Sequence, residues 1–242
     1  MMWINFLKKC RTRETTKQYF LSKIQEHYQN TDDINIVRDP QDPVVSIITS
    51  VYNGEKYLNT FLEEICKQTY FSKCELILVD CNEQEVNDYS LIEPYLEKHS
   101  NIKYHKLQKD PGVYGAWNYG IENSQGEFLT NANLDDRRAY ENIEILVNEL
   151  KSSPEVDLVY SPFIVTNKNN ENFYTSLSKS VYETYEFSRA NMVKCLPGCM
   201  PVWRRSMHDK NGLFDSSFRA AGDWEFWLRC VKSGSIFKRV NF

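Results

Sequence analysis

In the run Glu127-Phe-Leu-Thr-Asn-Ala-Asn-Leu-Asp-Asp136, an apolar segment from Phe128 to Ala132 meets two adjacent carboxylates, Asp135 and Asp136. The apolar segment reads as a short buried strand. From Ala139 onward Ile143, Leu146, Val147 and Leu150 recur at helical spacing. Strand, acidic pair, helix is the local order, and in an open α/β sheet ligands bind beyond the carboxyl ends of the strands. Two carboxylates there are poorly placed for packing. They are well placed for Mg²⁺ or Mn²⁺, which is held by one or two carboxylates with substrate phosphates completing its shell. The alternative is a turn in which Asp135 or Asp136 caps the following helix.

Upstream, Val44-Val-Ser-Ile-Ile-Thr-Ser-Val51 is a strand rich in β-branched residues, ending in the turn Tyr52-Asn-Gly-Glu55. A helix follows with Leu58, Phe61, Leu62 and Ile65 on one face. Glu75-Leu-Ile-Leu-Val-Asp80 is a second buried strand that closes on an acid. A helical stretch from Glu83 to Lys98 carries Pro94 as a bend or restart. Asn101 to Leu107 is a third strand, and Asp110-Pro-Gly-Val-Tyr-Gly115 opens a helix through Trp117 and Ile121. This alternation implies a Rossmann-like α/β half, a mainly parallel sheet flanked by helices. The exits at Thr49 to Asn53, Asp80 and Asp135-Asp136 then lie along one edge of that sheet.

Downstream, Val156 to Val165 reads as a further strand, Asn167 to Asn172 as a polar loop and Met200-Pro-Val-Trp-Arg-Arg205 as an extended element. Tyr174, Tyr182, Tyr185 and Phe187 either stack on a sugar ring or cover an edge of the core. Arg204 and Arg205 are either phosphate ligands or a surface pair. Gly222-Asp223 begins a last helix with Phe226, Trp227 and Val231 inward, and a short strand from Ile236 to Val240 precedes the end at Phe242. That close is expected of the front part of a longer protein. At the other end, Trp3, Ile4, Leu7, Phe20, Ile24 and Tyr28 fall near helical spacing beside Lys8, Lys9, Arg11, Arg13 and Lys17. Residues 1–40 therefore read as a helical extension. It is either a basic amphipathic helix in peripheral contact with an anionic membrane, or a helix packed on the domain or a partner. Asp39-Pro-Gln-Asp-Pro43 breaks it, and the main domain occupies 41–242.

Composition narrows the function. A net charge of −4 argues against a bulk nucleic-acid surface, and an acidic protein that binds a phosphate gains from a cation in between. The seven cysteines are odd in number and scattered; Cys195 and Cys199 lie four apart with no second Cys/His pair beside them to complete a zinc site. They read as free thiols of a reducing, cytoplasmic compartment. No apolar run approaches the roughly 18 residues that span a bilayer, and the N-terminus lacks the charge-then-apolar order of a secretory signal.

Five segments together resemble the glycosyltransferase family 2 enzymes of GT-A fold. They are Val44 to Glu55, Leu76-Ile-Leu-Val-Asp80, Asp110-Pro-Gly-Val-Tyr114 with Ala116-Trp-Asn-Tyr-Gly120, Asn133-Leu-Asp-Asp136, and Gly222-Asp-Trp-Glu-Phe-Trp-Leu-Arg229. They run in order from Val44 to Arg229. The resemblance implies an inverting, hexosyltransferase-type transfer from a nucleoside-diphosphate sugar, with a UDP-sugar favoured. The acceptor would be a hydroxyl of a glycan, a lipid-linked molecule or a protein, in polysaccharide or glycoconjugate biosynthesis. It further implies that Asp80 contacts the nucleotide base, that Thr49 and Tyr52 line the same pocket, and that Asp110 and Asn133 face the nucleotide sugar. Asp135 and Asp136 would hold the ribose and the Mn²⁺ or Mg²⁺ bridging the diphosphate, and Asp223 would deprotonate the acceptor.

Elementary chemistry agrees with these roles. Breaking the anomeric C–O bond leaves negative charge on the diphosphate, which a cation stabilises as a Lewis acid. Inversion needs a hydroxyl activated on the opposite face by a base within hydrogen-bond reach. Asp223, between Trp224 and Trp227, reads either as that base, partly desolvated by the indoles, or as the N-cap of the helix it begins. Three positions depart from the family pattern: Cys81 stands where a second acid is usual, Gly115 where many relatives have Asp, and Asn133 where the acidic motif begins with Asp. A C-terminal segment with further metal or diphosphate contacts either lies past Phe242 or is missing, with activity impaired. Two other functions compete. A nucleotidyltransferase would need a Gly-rich basic loop after the first strand, where this chain offers Gly54 and Lys56. A non-catalytic GT-A-like module that binds a glycan or partner is favoured by Cys81 and Gly115 and opposed by Asp135, Asp136 and Asp223.

Overall fold

The computed structural model describes residues 43–83, 88–178 and 180–241; the extension expected over residues 1–40 lies outside them. Strand and helix alternate through β1 (Val45–Val51), α1 (Glu55–Ile65), β2 (Cys74–Asp80), α2 (Asp88–Lys98), β3 (Ile102–Lys106), α3 (Gly112–Glu122) and β4 (Phe128–Asn131). These four strands pair in parallel. Then come α4 (Asn142–Ser152), β5 (Leu158–Tyr160), β6 (Phe163–Ile164), β7 (Val181–Tyr182), β8 (Val202–Arg204), α5 (Ser206–Asn211), α6 (Gly222–Lys232) and β9 (Phe237–Arg239). The seven-stranded sheet runs β3-β2-β1-β4-β8-β5-β9, while β6 and β7 form a separate ribbon. β8 is antiparallel to both its neighbours, and β9 is parallel to β5. The sheet is mixed but mainly parallel, as expected.

Helices cover both faces, so the inner strands are buried on both sides and their sequences are near-continuous apolar runs. Val45 and Ile47 of β1 and Leu76 and Leu78 of β2 pack with Leu58, Phe61 and Leu62 of α1, Ile92 of α2 and Leu146 of α4. On the other face Ile48 and Leu129 pack with Trp117, Trp203, Phe214, Phe226 and Trp227. Each such side chain contributes roughly 1.5–3 kcal/mol by its burial. Strand order reverses between β1 and β4, which opens a crevice beyond their C-terminal ends. The turn Tyr52–Gly54 and the stretch Asn131–Asp136 both lie at those ends.

Several expectations are corrected. The segment Val156–Val165 is two strands, because Ser161-Pro162 separates β5 from β6 and sends them to different sheets. Pro94 lies inside α2 rather than restarting it. Helix α4 begins at Asn142 with Glu141 at its N-cap, six residues beyond Asp136, so neither carboxylate of the acidic pair caps it. Arg204 and Arg205 are neither a free surface pair nor open to phosphate. Arg204 donates to the carbonyls of Leu150 (2.6 Å) and Val156 (2.9 Å), and Arg205 to that of Gly126 (2.7 Å) and to Ser124 Oγ (2.7 Å). The six described cysteines are free thiols. Among the described residues no helix is long and apolar enough to cross a membrane.

Candidate active site

A cleft of about 480 Å³ is lined by Val113, Tyr114 and Trp117 of α3, Asn131 and Asn133 from the end of β4 and just beyond, Phe163 and Tyr182 of the ribbon, Cys195, Gly198, Cys199, and Asp223 of α6. Asp223 is the second residue of α6; Ala221, with φ of 61°, holds the N-cap position, and no side chain caps the helix. The capping role considered for Asp223 is therefore not the one it plays. Its Oδ1 accepts the Tyr114 hydroxyl at 3.0 Å, and its Oδ2 lies 4.0 Å from Cys195 Sγ. Gly222 makes the first contact possible, since a Cβ there would stand 2.7 Å from Tyr114 Cε2. Burial, and then the charge of Asp223, push the Tyr114 phenol up to about 12, so at neutral pH it remains a donor to the carboxylate. Burial and Asp223 likewise push the Cys195 thiol up to about 12. The two indoles expected beside the carboxylate are occupied elsewhere: Trp224 donates to the Met192 carbonyl at 2.8 Å, and Trp227 is buried among Trp203, Phe214 and Phe226. That aromatic cluster packs α6 against the sheet behind the cleft.

The acidic turn is closed by its own first residue. Asn133 Nδ2 donates to Asp136 Oδ2 at 2.9 Å, and the Asp136 N–H donates to the Asn133 carbonyl at 3.2 Å. Asp136 borders a narrow space with Glu64 and Gln68 of the α1 region rather than the cleft of Asp223, whereas Asp135 is exposed. Burial first, and the Asp135 charge in addition, raise the Asp136 carboxyl above its usual range; the Asn133 amide works the other way. Sequence reasoning missed Arg138, which is fully interior. It donates to Thr130 Oγ1, Asn142 Oδ1 and the carbonyls of Asn131 (2.8 Å) and Met200 (3.2 Å), tying the end of β4 to the loop before β8. Burial pushes its guanidinium down to about 10.

At the ends of β1 and β2 the expected nucleotide contacts are differently arranged. Thr49 is completely buried in the α1-side face of the sheet, and its Oγ1 meets no partner. Tyr52 is half exposed. Asp80 is buried, and its carboxylate is fully engaged. Oδ1 accepts the N–H and the Nδ2 of Asn82, both at 2.9 Å, and Oδ2 accepts Tyr104 Oη at 2.6 Å and Lys106 Nζ at 3.0 Å. Burial works to raise its pKa, but these hydrogen bonds outweigh burial and hold it below the ordinary carboxylate range. A carboxylate offers about four acceptor positions, and all four are used. Asn82 also links the two strand ends, accepting the Asn53 N–H at 2.8 Å. Asp110 Oδ1 accepts the Gly112 N–H at 2.8 Å and so shapes the start of α3. Cys81, where a second acid was looked for, is buried with its thiol against the Val79 carbonyl. Tyr104 and Lys106 carried no sequence signal as partners, because both lie on β3 and reach Asp80 only through its pairing with β2, while Asn82 stands two residues along the chain.

The chemistry of the donor set at the turn suits a hard divalent ion: two adjacent carboxylates, Asp135 exposed and Asp136 half-buried. Among the described residues no group of three His, Cys, Asp or Glu side chains is poised around one point.

The sequence profile described as Glycosyl transferase family 2 matches residues 46–212. An uncharacterized glycosyltransferase of Rickettsia typhi is 27% identical over 199 residues, covering 81% of this chain and 61% of the relative. Among solved structures, S. aureus TarS 1-349 in complex with UDP superposes with a TM-score of 0.66 at 19% identity, covering 81% of this chain and 57% of that one. The mannosyltransferase PcManGT from Pyrobaculum calidifontis, in complex with GDP-Man and Mn²⁺, gives 0.63 at 19% identity, covering 93% of this chain and 61% of its own. At that identity the two structures establish a shared fold. The chain spans about three fifths of the length of these relatives.

Proposed function

The chain belongs to glycosyl transferase family 2, and on that footing we propose that it transfers a sugar, with inversion, from a nucleoside-diphosphate sugar to an acceptor hydroxyl. A UDP-sugar is the favoured donor. The observation that carries the reading is the meeting of Asp223 and Asn133 in one cleft of ligand size. Asp223 has one oxygen anchored by Tyr114 and the other, Oδ2, beside only a neutral thiol. Oδ2 is then the base: it takes the proton of the acceptor hydroxyl as that oxygen attacks the anomeric carbon from the face opposite the leaving group. The C–O bond to the diphosphate breaks, its electron pair departs with the nucleoside diphosphate, and the proton stays on Asp223. The Tyr114 hydroxyl keeps the carboxylate oriented throughout.

Asp135 and Asp136 would hold a Mg²⁺ or Mn²⁺, with Asp135 the more accessible of the two. When bound, that ion would supply Lewis-acid stabilisation of the charge on the departing diphosphate. Burial and the neighbouring Asp135 charge raise the Asp136 carboxyl despite Arg137 and Arg138 nearby, and a bound cation would relieve the repulsion within the pair. PcManGT was solved with GDP-Man and Mn²⁺, which supports the same kind of donor here. Asn133, already fixed by Asp136, would contact the ribose, and the Tyr52, Asp80 and Asp110 edge would border the base.

The test is donor turnover in the absence of acceptor. Wild-type protein with Mn²⁺ should release UDP slowly from a UDP-sugar, and Asp223→Asn should reduce this by about 100-fold or more, the usual contribution of a positioned base. Undiminished release by Asp223→Asn would remove Asp223 from the mechanism.

A further inference from the structure

The β6–β7 ribbon stands apart from the main sheet, with two paired residues on each side. Ribbons that short contribute little stability of their own. Phe163 and Tyr182 face each other across it, with ring centroids 4.8 Å apart and planes 17° apart. Neither ring joins the three hydrophobic clusters that form the core of the described residues. Other aromatics of this region have structural partners. The Tyr174 hydroxyl donates to Glu141 and accepts the Tyr140 N–H, and Phe187 packs on Phe237. Tyr182 is different: it is 45% exposed, and with Phe163 it borders the cleft that contains Asp223.

Gly198 holds Phe163 in place. Its φ of +62° lies in the left-handed region, and a Cβ there would come 3.0 Å from Phe163 Cε1. Phe163 thus has Tyr182 stacked on it and the Gly198 backbone against its edge, and the ring left open is that of Tyr182. The rest of the lining supplies polar groups, Asn131, Asn133, Tyr114 and Asp223. It also supplies Trp117, whose indole N–H has no acceptor among the described residues. An open aromatic ring with a few convergent polar groups suits a ligand that has an apolar face and a rim of hydroxyls. A pyranose has that form: its C–H bonds give one face to stacking and its hydroxyls project from the edge. An alkyl chain in the same cleft would leave Oδ2 of Asp223 and the Trp117 indole N–H without a polar partner.

We infer that Tyr182, backed by Phe163, is the stacking platform for a sugar ring of the acceptor, so that the hydroxyl presented to Asp223 belongs to a carbohydrate. The role of Asp223 here rests on the proposed transfer reaction; the platform does not. Saturation-transfer NMR with methyl β-N-acetylglucosaminide as probe tests it, on wild-type protein with UDP and Mn²⁺ and with UDP-GlcNAc and Mn²⁺. The glycoside's ring C–H protons should be saturated in the UDP sample. Affinity should fall about tenfold in Tyr182→Leu, the scale of one lost aromatic contact, and be retained in Tyr182→Phe. UDP affinity, read by calorimetry, should be the same in all three proteins. Equal glycoside binding by Tyr182→Leu and wild type overturns the inference, as does absence of any glycoside signal. Displacement of the glycoside by UDP-GlcNAc but not by UDP also overturns it, because the platform would then serve the donor sugar. If UDP fails to bind while the glycoside still depends on Tyr182, the transfer reaction falls and the carbohydrate platform stands.

Discussion

Replacing Asp80 by Asn separates a ligand-facing acid from one that the protein uses for itself. Four donors converge on the Asp80 carboxylate, from Asn82 (backbone and side chain), Tyr104 and Lys106. An amide keeps one acceptor oxygen and turns the other into a donor. Its best orientation leaves the oxygen toward Asn82 and points the NH₂ at Tyr104 and Lys106. Lys106 is about half exposed (44%) and can turn to water, so losing that pair costs at most about 1 kcal/mol. The Tyr104 hydroxyl can rotate to accept. The two Asn82 bonds lose their ionic character, and such bonds drop from about 1.5–3 to about 0.5–1.5 kcal/mol each. Together the change should cost about 3 kcal/mol, or about 10 °C in Tm for a domain of this size. Urea or thermal unfolding without ligand reads it directly. The pKa shift adds a pH signature. Asp80 is depressed in the folded state, so its contribution is present above the unfolded carboxylate range near pH 4 and is lost as pH falls through the folded value. The gap between wild type and Asp80→Asn should therefore close in acid. An unchanged midpoint in Asp80→Asn, with weakened nucleotide binding, would refute the reasoning and return Asp80 to the role of a free base-reading acid.

Three further outcomes are expected. Arg138→Met should destabilise the fold by about 4 kcal/mol in urea unfolding, since it strands buried acceptors at Thr130, Asn131, Asn142 and Met200; a loss under about 1 kcal/mol would contradict its anchoring role. His208 is buried, accepts the Trp203 indole N–H and stacks on Phe226, and burial pushes its pKa down to about 4. Unfolded chains take up its proton near pH 6.5, so stability should be full above that value and fall by about 3 kcal/mol toward pH 4; His208→Leu should flatten this limb, and an unchanged slope would exclude His208 as its source. Gly222→Ala should displace Tyr114 from Asp223 and lower donor turnover with little change in UDP affinity; wild-type turnover would show that the Tyr114 contact is dispensable.

The elements that sequence revealed are those fixed locally. β1 and β2 are continuous apolar runs because both faces are covered, and α1 shows its buried stripe at Leu58, Phe61, Leu62 and Ile65. Asp135 and Asp136 were legible as a pair, but their exclusion from capping was not. The intervening turn is held by Arg137 and Arg138, whose partners lie in distant segments. Strand order was illegible for a similar reason: β8 enters antiparallel between β4 and β5, a pairing across about seventy residues that no local pattern encodes. The inward orientation of Thr49 could have been found from parity, since it shares its face with Val45 and Ile47. The saturation of Asp80 could not, because Tyr104 and Lys106 are brought to it only by the pairing of β2 with β3.

The proposed transfer requires the acidic turn to engage a diphosphate through a divalent ion, and calorimetric titration of UDP tests this most directly. Wild-type protein should bind UDP in Mn²⁺, and chelation of the metal should weaken binding at least about tenfold. The double variant Asp135→Asn/Asp136→Asn should show the same weakening with Mn²⁺ present, while Asp223→Asn binds as the wild type does. Equal UDP affinity with and without Mn²⁺, and with and without the two carboxylates, would contradict the account.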